Sequence, residues 1–271
     1  MTVSLRHNAT SARTAHVLNR ASRSVSTSLQ KISSGNRIER IGDDATGAAV
    51  GVNLSAQARS GSQAIRNIQD GISMLDTSLA ALDETGDLLS RLRELTVQSA
   101  SDALGDGERA YIADEYQEIN TEVRRLALSA EFNGQSIALG ESYDVQVGIH
   151  GTKNDSISLP TANIKAIQKE IATLKLTTAK HSQQSLEKID AALELVNQQQ
   201  TGIGSRYNRL HNSMGHLEQH TLALHSSASR IEDTDMAMET TQMSLMQMRQ
   251  SASTAAMGQA KGMSQAILAL I

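Results

Sequence analysis

Apolar side chains recur at helical spacing at both ends of this chain, and such stripes must be covered by something. In residues 1–40 the line Ala15, Leu18, Val25, Leu29 and Ile32 steps as a heptad seam interrupted by Ser22. Residues 236–271 hold seven of the ten methionines and three charged side chains, Glu239, Arg249 and Lys261. Apolar terminal segments do not stay exposed in water. A stripe on each terminus implies that the two ends pair with each other and then with copies of themselves in neighbouring molecules. The candidate seam is Leu18, Val25, Leu29 and Ile32 on one side, and Met236, Met243, Met246, Met257 and Ile267 on the other.

The rest of the composition points away from a thick globular core. One Phe, four Tyr and no Trp leave 271 residues almost without large rings, and a single proline, Pro160, interrupts the helical pattern. Alanine, leucine, serine and glutamine suit long helices packed at close range. The formal charge of −4 is uneven: residues 1–40 carry seven basic side chains and one acid, a net of +6, residues 236–271 carry +1, and −11 is left for the middle. The basic amino-terminal arm does not read as a nucleic-acid site. Arg6, Arg13 and Arg20 stand seven apart, opposite the apolar seam and without interleaved aromatics, as a solvated or subunit-facing stripe would.

With no cysteine, disulfides and thiolate metal sites are excluded, which fits a cytosolic protein or one exported as an unfolded chain. Residues 1–13 have no apolar stretch of the kind that marks a cleaved signal peptide, and no window has the length and apolarity of a membrane span. An extracellular location then requires another export route.

The periodicity predicts a first helix over residues 1–34 and a break at Gly42-Asp43-Asp44, where a carboxylate caps the next helix. From Ala45 to Ala100 apolar residues keep three- and four-residue steps, through Ile68, Ile72, Leu75, Leu79 and Leu82 to Leu95. Such a helix would run roughly 80 Å, which favours a rod. Gly105-Asp106-Gly107 turns into a helix over 108–129, and Asn133-Gly134 is a hairpin turn pair. Tyr143, Val145, Val147 and Ile149 alternate with polar residues as a half-buried strand, which Ser156–Leu159 can pair. Helical spacing resumes at Ile164 and continues to Ser226, with Gly202 and Gly204 marking a bend. The expected fold is mainly α: a long antiparallel helical hairpin or coiled-coil rod with a small β-hairpin region.

Site chemistry is sparse. His211, His216, His220 and His225 cluster, and His216 and His220 share a helix face, but Glu218 is misplaced for His-Glu-x-x-His and a structural zinc needs about four ligands. Asp43-Asp44 has no accompanying nucleophile or histidine and reads as a cap. Leu104 occupies a ligand position in the Asp102–Gly107 stretch, which therefore fails as a calcium loop. No enzyme and no cofactor are expected.

Five motifs in order resemble bacterial flagellin. They are Ile32-Ser33-Ser34-Gly35-Asn36-Arg37-Ile38 with Gly42-Asp43-Asp44-Ala45-Thr46-Gly47; Arg66-Asn67-Ile68-Gln69-Asp70-Gly71-Ile72-Ser73; Arg93-Glu94-Leu95-Thr96-Val97-Gln98-Ser99-Ala100; Glu131-Phe132-Asn133-Gly134; and Ser229-Arg230-Ile231-Glu232-Asp233-Thr234-Asp235. The resemblance covers residues 1–149 and about 186–271, so the chain looks like a short flagellin lacking the outer variable domains. It implies an inner terminal coiled-coil domain, residues 1–42 plus 229–271, and a middle helical rod, residues 43–228, with its β region at about 135–160. It also implies a subunit that polymerises helically into the extracellular flagellar filament, the propeller for swimming. The implied partners are copies of itself, an export chaperone, the filament cap and the hook–filament junction proteins. By the same resemblance Arg91, Leu95 and Glu115 form a candidate patch for an innate immune receptor, with Arg91 and Leu95 expected on one helix face. The alternatives are a junction adaptor of the same shape and a secreted monomeric ligand of that receptor. No nucleic acid or membrane partner is expected.

Overall fold

The computed structural model describes the backbone of residues 9–268 and the side chains of residues 9–262. The elements are α1 (Ala9–Ser34), α2 (Ala45–Ser99), α3 (Asp106–Ser129), β1 (Glu131–Phe132), β2 (Gln135–Ser136), β3 (Ser142–Gln146), β4 (Ser156–Pro160), α4 (Ile164–Ile171), α5 (Ala179–Glu232) and α6 (Met236–Leu268). The fold is mainly α, with two small antiparallel hairpins. Contacts divide the chain into two compact units, residues 1–56 with 223–271 and residues 57–222; α2 and α5 contribute to both.

The unit spanning 57–222 is built on an antiparallel register of α2 and α5. Gly61 lies against Thr221 and Gly71 against Leu210. Further along, Asp83 accepts from Gln200 at 2.6 Å, Arg93 donates to Asp190 at 2.7 Å, and Ser182 donates to Ser99 at 3.0 Å. Partner numbers fall on α5 as positions rise on α2. Leu75, Leu82, Leu89 and Thr96, each seven apart, are fully buried. A second buried line, Ser78, Thr85, Leu92 and Ser99, is also spaced by seven. This heptad repeat is the signature of helices that keep one seam facing a partner over a long run. The polar members of the second line are all paired: Ser78 donates to Ile137 O at 3.2 Å, Thr85 to Ala81 O at 2.7 Å and Ser99 to Leu176 O at 3.2 Å. Buried hydroxyls so satisfied avoid the penalty of an orphaned polar group.

The helix ends follow from named caps. Asp44 Oδ1 accepts from Gly47 N at 2.8 Å at the start of α2, as expected for the Asp43-Asp44 pair. Glu108 reaches back to Gly105 N at 2.9 Å at the start of α3. The β1–β2 turn places Asn133 at φ 50° and Gly134 at φ 76°, the left-handed conformations that a two-residue hairpin needs. The β3–β4 hairpin packs on α2 at Gly71, where a Cβ would stand 3.1 Å from Leu159 and 3.3 Å from Val145. The absence of a side chain there lets the sheet seat on the helix.

Two expectations need correction. The strand stops at Gln146 because Val147 N and Gly148 N both donate to Asp155 O, at 2.7 and 3.0 Å, so the regular ladder cannot reach Ile149. The return helix is not continuous from Ile164: α4 ends at Ile171 and α5 begins at Ala179. Between them Leu174 and Leu176 are both buried, a period of two that belongs to extended chain. Gly202 and Gly204 lie inside α5, whose helix continues through both.

Tyr116 and Arg109 tie α3 to its surroundings, and helical spacing alone marks neither of them. Tyr116 is 2% exposed and its hydroxyl donates to Ile171 O. Burial pushes its pKa up to about 12, only partly opposed by a backbone hydrogen bond at Leu174. The folded state thus favours the neutral phenol. Its contribution to stability is complete below the unfolded-state value of about 10 and is lost as the pH rises from there through the folded value. An ultraviolet titration should show one tyrosine ionising near pH 12, a step that Tyr116→Phe removes. Persistence of that step in the variant would contradict the assignment.

Candidate functional site

The candidate site is the terminal helix pair in the unit formed by residues 1–56 and 223–271. Its turn brings the first and last sequence motifs together. Arg37 donates through Nε and Nη2 to Ile231 O, at 3.0 and 2.7 Å, which places a cation at the carboxy-terminal end of α5. Arg37 N donates to Glu232 O at 2.6 Å, Thr234 N to Gly35 O at 2.8 Å, and Asn36 bridges Asp233. Gly35 takes φ 75° to make this turn. Asp235 then caps α6, its Oδ1 accepting from Ala237 N at 3.0 Å and Met238 N at 3.1 Å. With these strands of chain joined at one end, α1 and α6 pack side by side and antiparallel.

The inward faces of the pair are read directly from burial. On α6 the shielded positions are Glu239, Met243, Met246, Gln250, Ser253, Met257 and Ala260, an unbroken heptad alternation. On α1, Leu18, Val25 and Ile32 are half-buried, as the seam requires. Ala15 is half-buried beside Thr14, but further along the companions are Ala21 and Ser28, not Ser22 and Leu29. Ala21 and Ser28 are buried while Ser22 and Leu29 are exposed. The most deeply buried residues of the pair are small ones, Ala21, Ser28, Ser253 and Ala260, which lets the backbones approach closely.

The larger apolar side chains are left on the outside. Leu29 is 56% exposed, Met248 60%, and Val17, Met236, Met238 and Leu245 are also exposed. Of the candidate seam, Met243, Met246 and Met257 face inward, Met236 and Leu29 face outward, and the Ile267 side chain lies outside the described residues. Arg13 and Arg20 are exposed, and among the described residues neither takes part in an ion pair; Arg6 lies outside that range. Two helices with this much uncovered apolar surface are half of a packing arrangement.

The other candidate residues behave differently. Arg91 pairs with Glu115 at 2.8 Å and with Glu94 at 3.0 Å, and these carboxylates, Glu115 first, raise its pKa. Leu95, however, is 2% exposed and belongs to the core of the 57–222 unit. The three residues therefore do not make one surface patch. His211, His216, His220 and His225 are exposed along α5, and among the described residues no three metal-ligating side chains converge. No helix among the described residues is long and apolar enough to cross a membrane.

An antiparallel pair of terminal helices that leaves large apolar side chains uncovered has the build of a subunit that assembles with copies of itself. Residues 5–141 match the family described as bacterial flagellin N-terminal helical region, and residues 186–271 match bacterial flagellin C-terminal helical region. Flagellin from Halalkalibacterium halodurans is 35% identical over 246 residues, covering 90% of each chain. The flagellar filament 30.7 kDa core protein of Treponema maltophilum is 30% identical over 282 residues, covering 98% of this chain and 99% of that one. The crystal structure of Bacillus cereus flagellin superposes with a TM-score of 0.50 at 25% identity, over 56% of this chain and 88% of that one. The chain belongs to the bacterial flagellin family, the structural subunits of the extracellular flagellar filament. It is a short form: the matched regions leave no room for a large variable domain.

Proposed function

We propose that this filament subunit polymerises through the outward faces of α1 and α6. The observation that carries this reading is the inversion of the terminal pair, in which small residues are buried and Leu29, Met236, Met238 and Met248 are left exposed. Neighbouring subunits would cover those side chains, and head-to-tail contacts that do not close would extend the assembly. Methionine suits the role because a flexible thioether fills the slightly different gaps of non-identical contacts. Before assembly the same exposed faces would suit an export chaperone, and at the two ends of the filament they would suit the cap and the hook–filament junction proteins. Export as an unfolded chain belongs to the same reading.

The test begins with electron microscopy of purified protein returned to neutral pH after dissociation. Long helical filaments are expected from the full chain. A form truncated at residue 240 should remain soluble and helical through residues 57–222 yet yield no filaments. Normal filaments from the truncated form would contradict the role of the terminal pair.

A further inference from the structure

The unit of residues 57–222 contains a cleft of about 710 Å³ between the end of the β3–β4 hairpin and one face of α5. Its α5 wall is a stripe at helical spacing, Ser205, Arg209, Asn212, His216 and His220, and His150 stands on the hairpin side. Val147, Ile149 and Leu217 add apolar surface. The one carboxylate lining it, Asp155, already accepts from Thr152 through both backbone and hydroxyl. The cleft therefore offers a guanidinium and several N–H donors beside a single carboxylate, Asp155, that is already hydrogen-bonded to Thr152. Among the described residues, Arg209 has no ion-pair partner.

A surface of opposite character lies on α3. Tyr111 is 77% exposed, the most exposed large apolar side chain among the described residues. One and two turns further on the same face are Asp114 and Glu118, both exposed. Their neighbours Glu115 and Glu122 are held by Arg91 and Arg125, whereas Asp114 and Glu118 have no ion-pair partner among the described residues. From Tyr111 to Glu118 the face measures roughly 10 Å along the helix, and from Arg209 to His220 the cleft wall measures roughly 16 Å. The acidic face thus fits within the length of the cleft. Exposed tyrosine beside unpaired carboxylates is also the composition of a contact surface, where an aromatic anchor supplies area and charge supplies register.

We propose that the cleft receives the Tyr111–Asp114–Glu118 face of α3 from a second copy of this chain. Tyr111 would pack on Val147, Ile149 and Leu217, and Asp114 and Glu118 would accept hydrogen bonds from Arg209, Asn212 and the imidazoles. The two surfaces share no residue, so the contact is head-to-tail and propagates. It rests on the filament reading and adds to the terminal pair a second contact in which charge sets the register.

The experiment compares critical concentrations for polymerisation of the natural chain, Arg209→Glu, Glu118→Arg and an equal mixture of the two variants. Each variant alone opposes like charges and should polymerise only at a concentration raised by about tenfold or more. In the mixture every cleft meets a complementary face, and the critical concentration should return close to the natural value. Arg209→Gln and Glu118→Gln, which introduce no repulsion, should fall in between, and melting curves verify that each monomer is folded. Unchanged critical concentrations in all preparations would overturn the proposal and leave the cleft to some other occupant. So would single-variant defects in folded protein that mixing does not repair. Failure of the natural chain itself to polymerise is a separate result, and overturns the filament reading.

Discussion

Leu29→Asp combined with Met248→Asp should abolish filament growth while leaving the isolated subunit as stable as before. Both side chains are more than half exposed, so the exchange costs the monomer within about 0.5 kcal/mol, as surface substitutions usually do. In the assembled state each apolar side chain that becomes buried contributes roughly 1.5–3 kcal/mol. Losing two such contributions, and burying a carboxylate at each site, raises the critical concentration by more than about a hundredfold. Sedimentation and electron microscopy measure the assembly; chemical denaturation measures the monomer. Filaments of ordinary length from the double variant would show that these faces are not contact surfaces.

Leu89→Ala should have the opposite signature. Leu89 is fully buried in the heptad seam of α2, and the cluster around it includes Leu82, Leu92 and Val196. Truncation removes the transfer energy of the lost atoms and leaves a cavity, at a combined cost of roughly 2–5 kcal/mol. For a unit of this size that corresponds to a melting temperature lower by roughly 4–20 °C. At temperatures where the variant is still folded, assembly should proceed, since the side chain faces no neighbour. A melting temperature unchanged from the natural chain would mean that the seam repacks around the gap, and the tight register of α2 on α5 would have to be abandoned.

The two variants divide along a line that the sequence drew only in part. Heptad spacing located α2 and the inward set of Leu18, Val25 and Ile32, because spacing reports directly which residues share a helix face. It did not reveal which flank of that set meets α6. The more apolar flank holds Leu29, which hydrophobicity alone selects, and Ala15, which is half-buried as expected. In place of Leu29 the fold buries Ala21 and Ser28, whose small side chains let the two helices approach closely. Leu95 was misplaced by the same kind of error, an i,i+4 spacing from Arg91 taken to mean a shared environment. A 40° offset between those positions was enough to separate an exposed guanidinium from a core leucine.

The β region was legible where its signals were local. Asn133-Gly134 specifies its own turn, and the Tyr143–Val145 alternation gives a strand. The end of that strand at Gln146 depends on Asp155, nine residues further on, and no local pattern announces it. Arg109 is the clearest omission. It is 7% exposed, and its guanidinium donates to Ser99 O, to Ser101 O at 2.9 Å and to Leu104 O at 3.2 Å, holding the turn between α2 and α3. An arginine near a helix start ordinarily reads as solvated, and only the three-dimensional turn turns it into a clasp.

The uncovered thioethers of α6 have a chemical consequence. Oxidation converts methionine to a polar sulfoxide, and susceptibility follows exposure. Met236, Met238 and Met248 are open to solvent in the single subunit and would be shielded once neighbours cover them. An oxidant would then act on subunits still waiting to join far more than on those already in place. Damage of this kind would halt elongation at the growing end and spare the finished shaft.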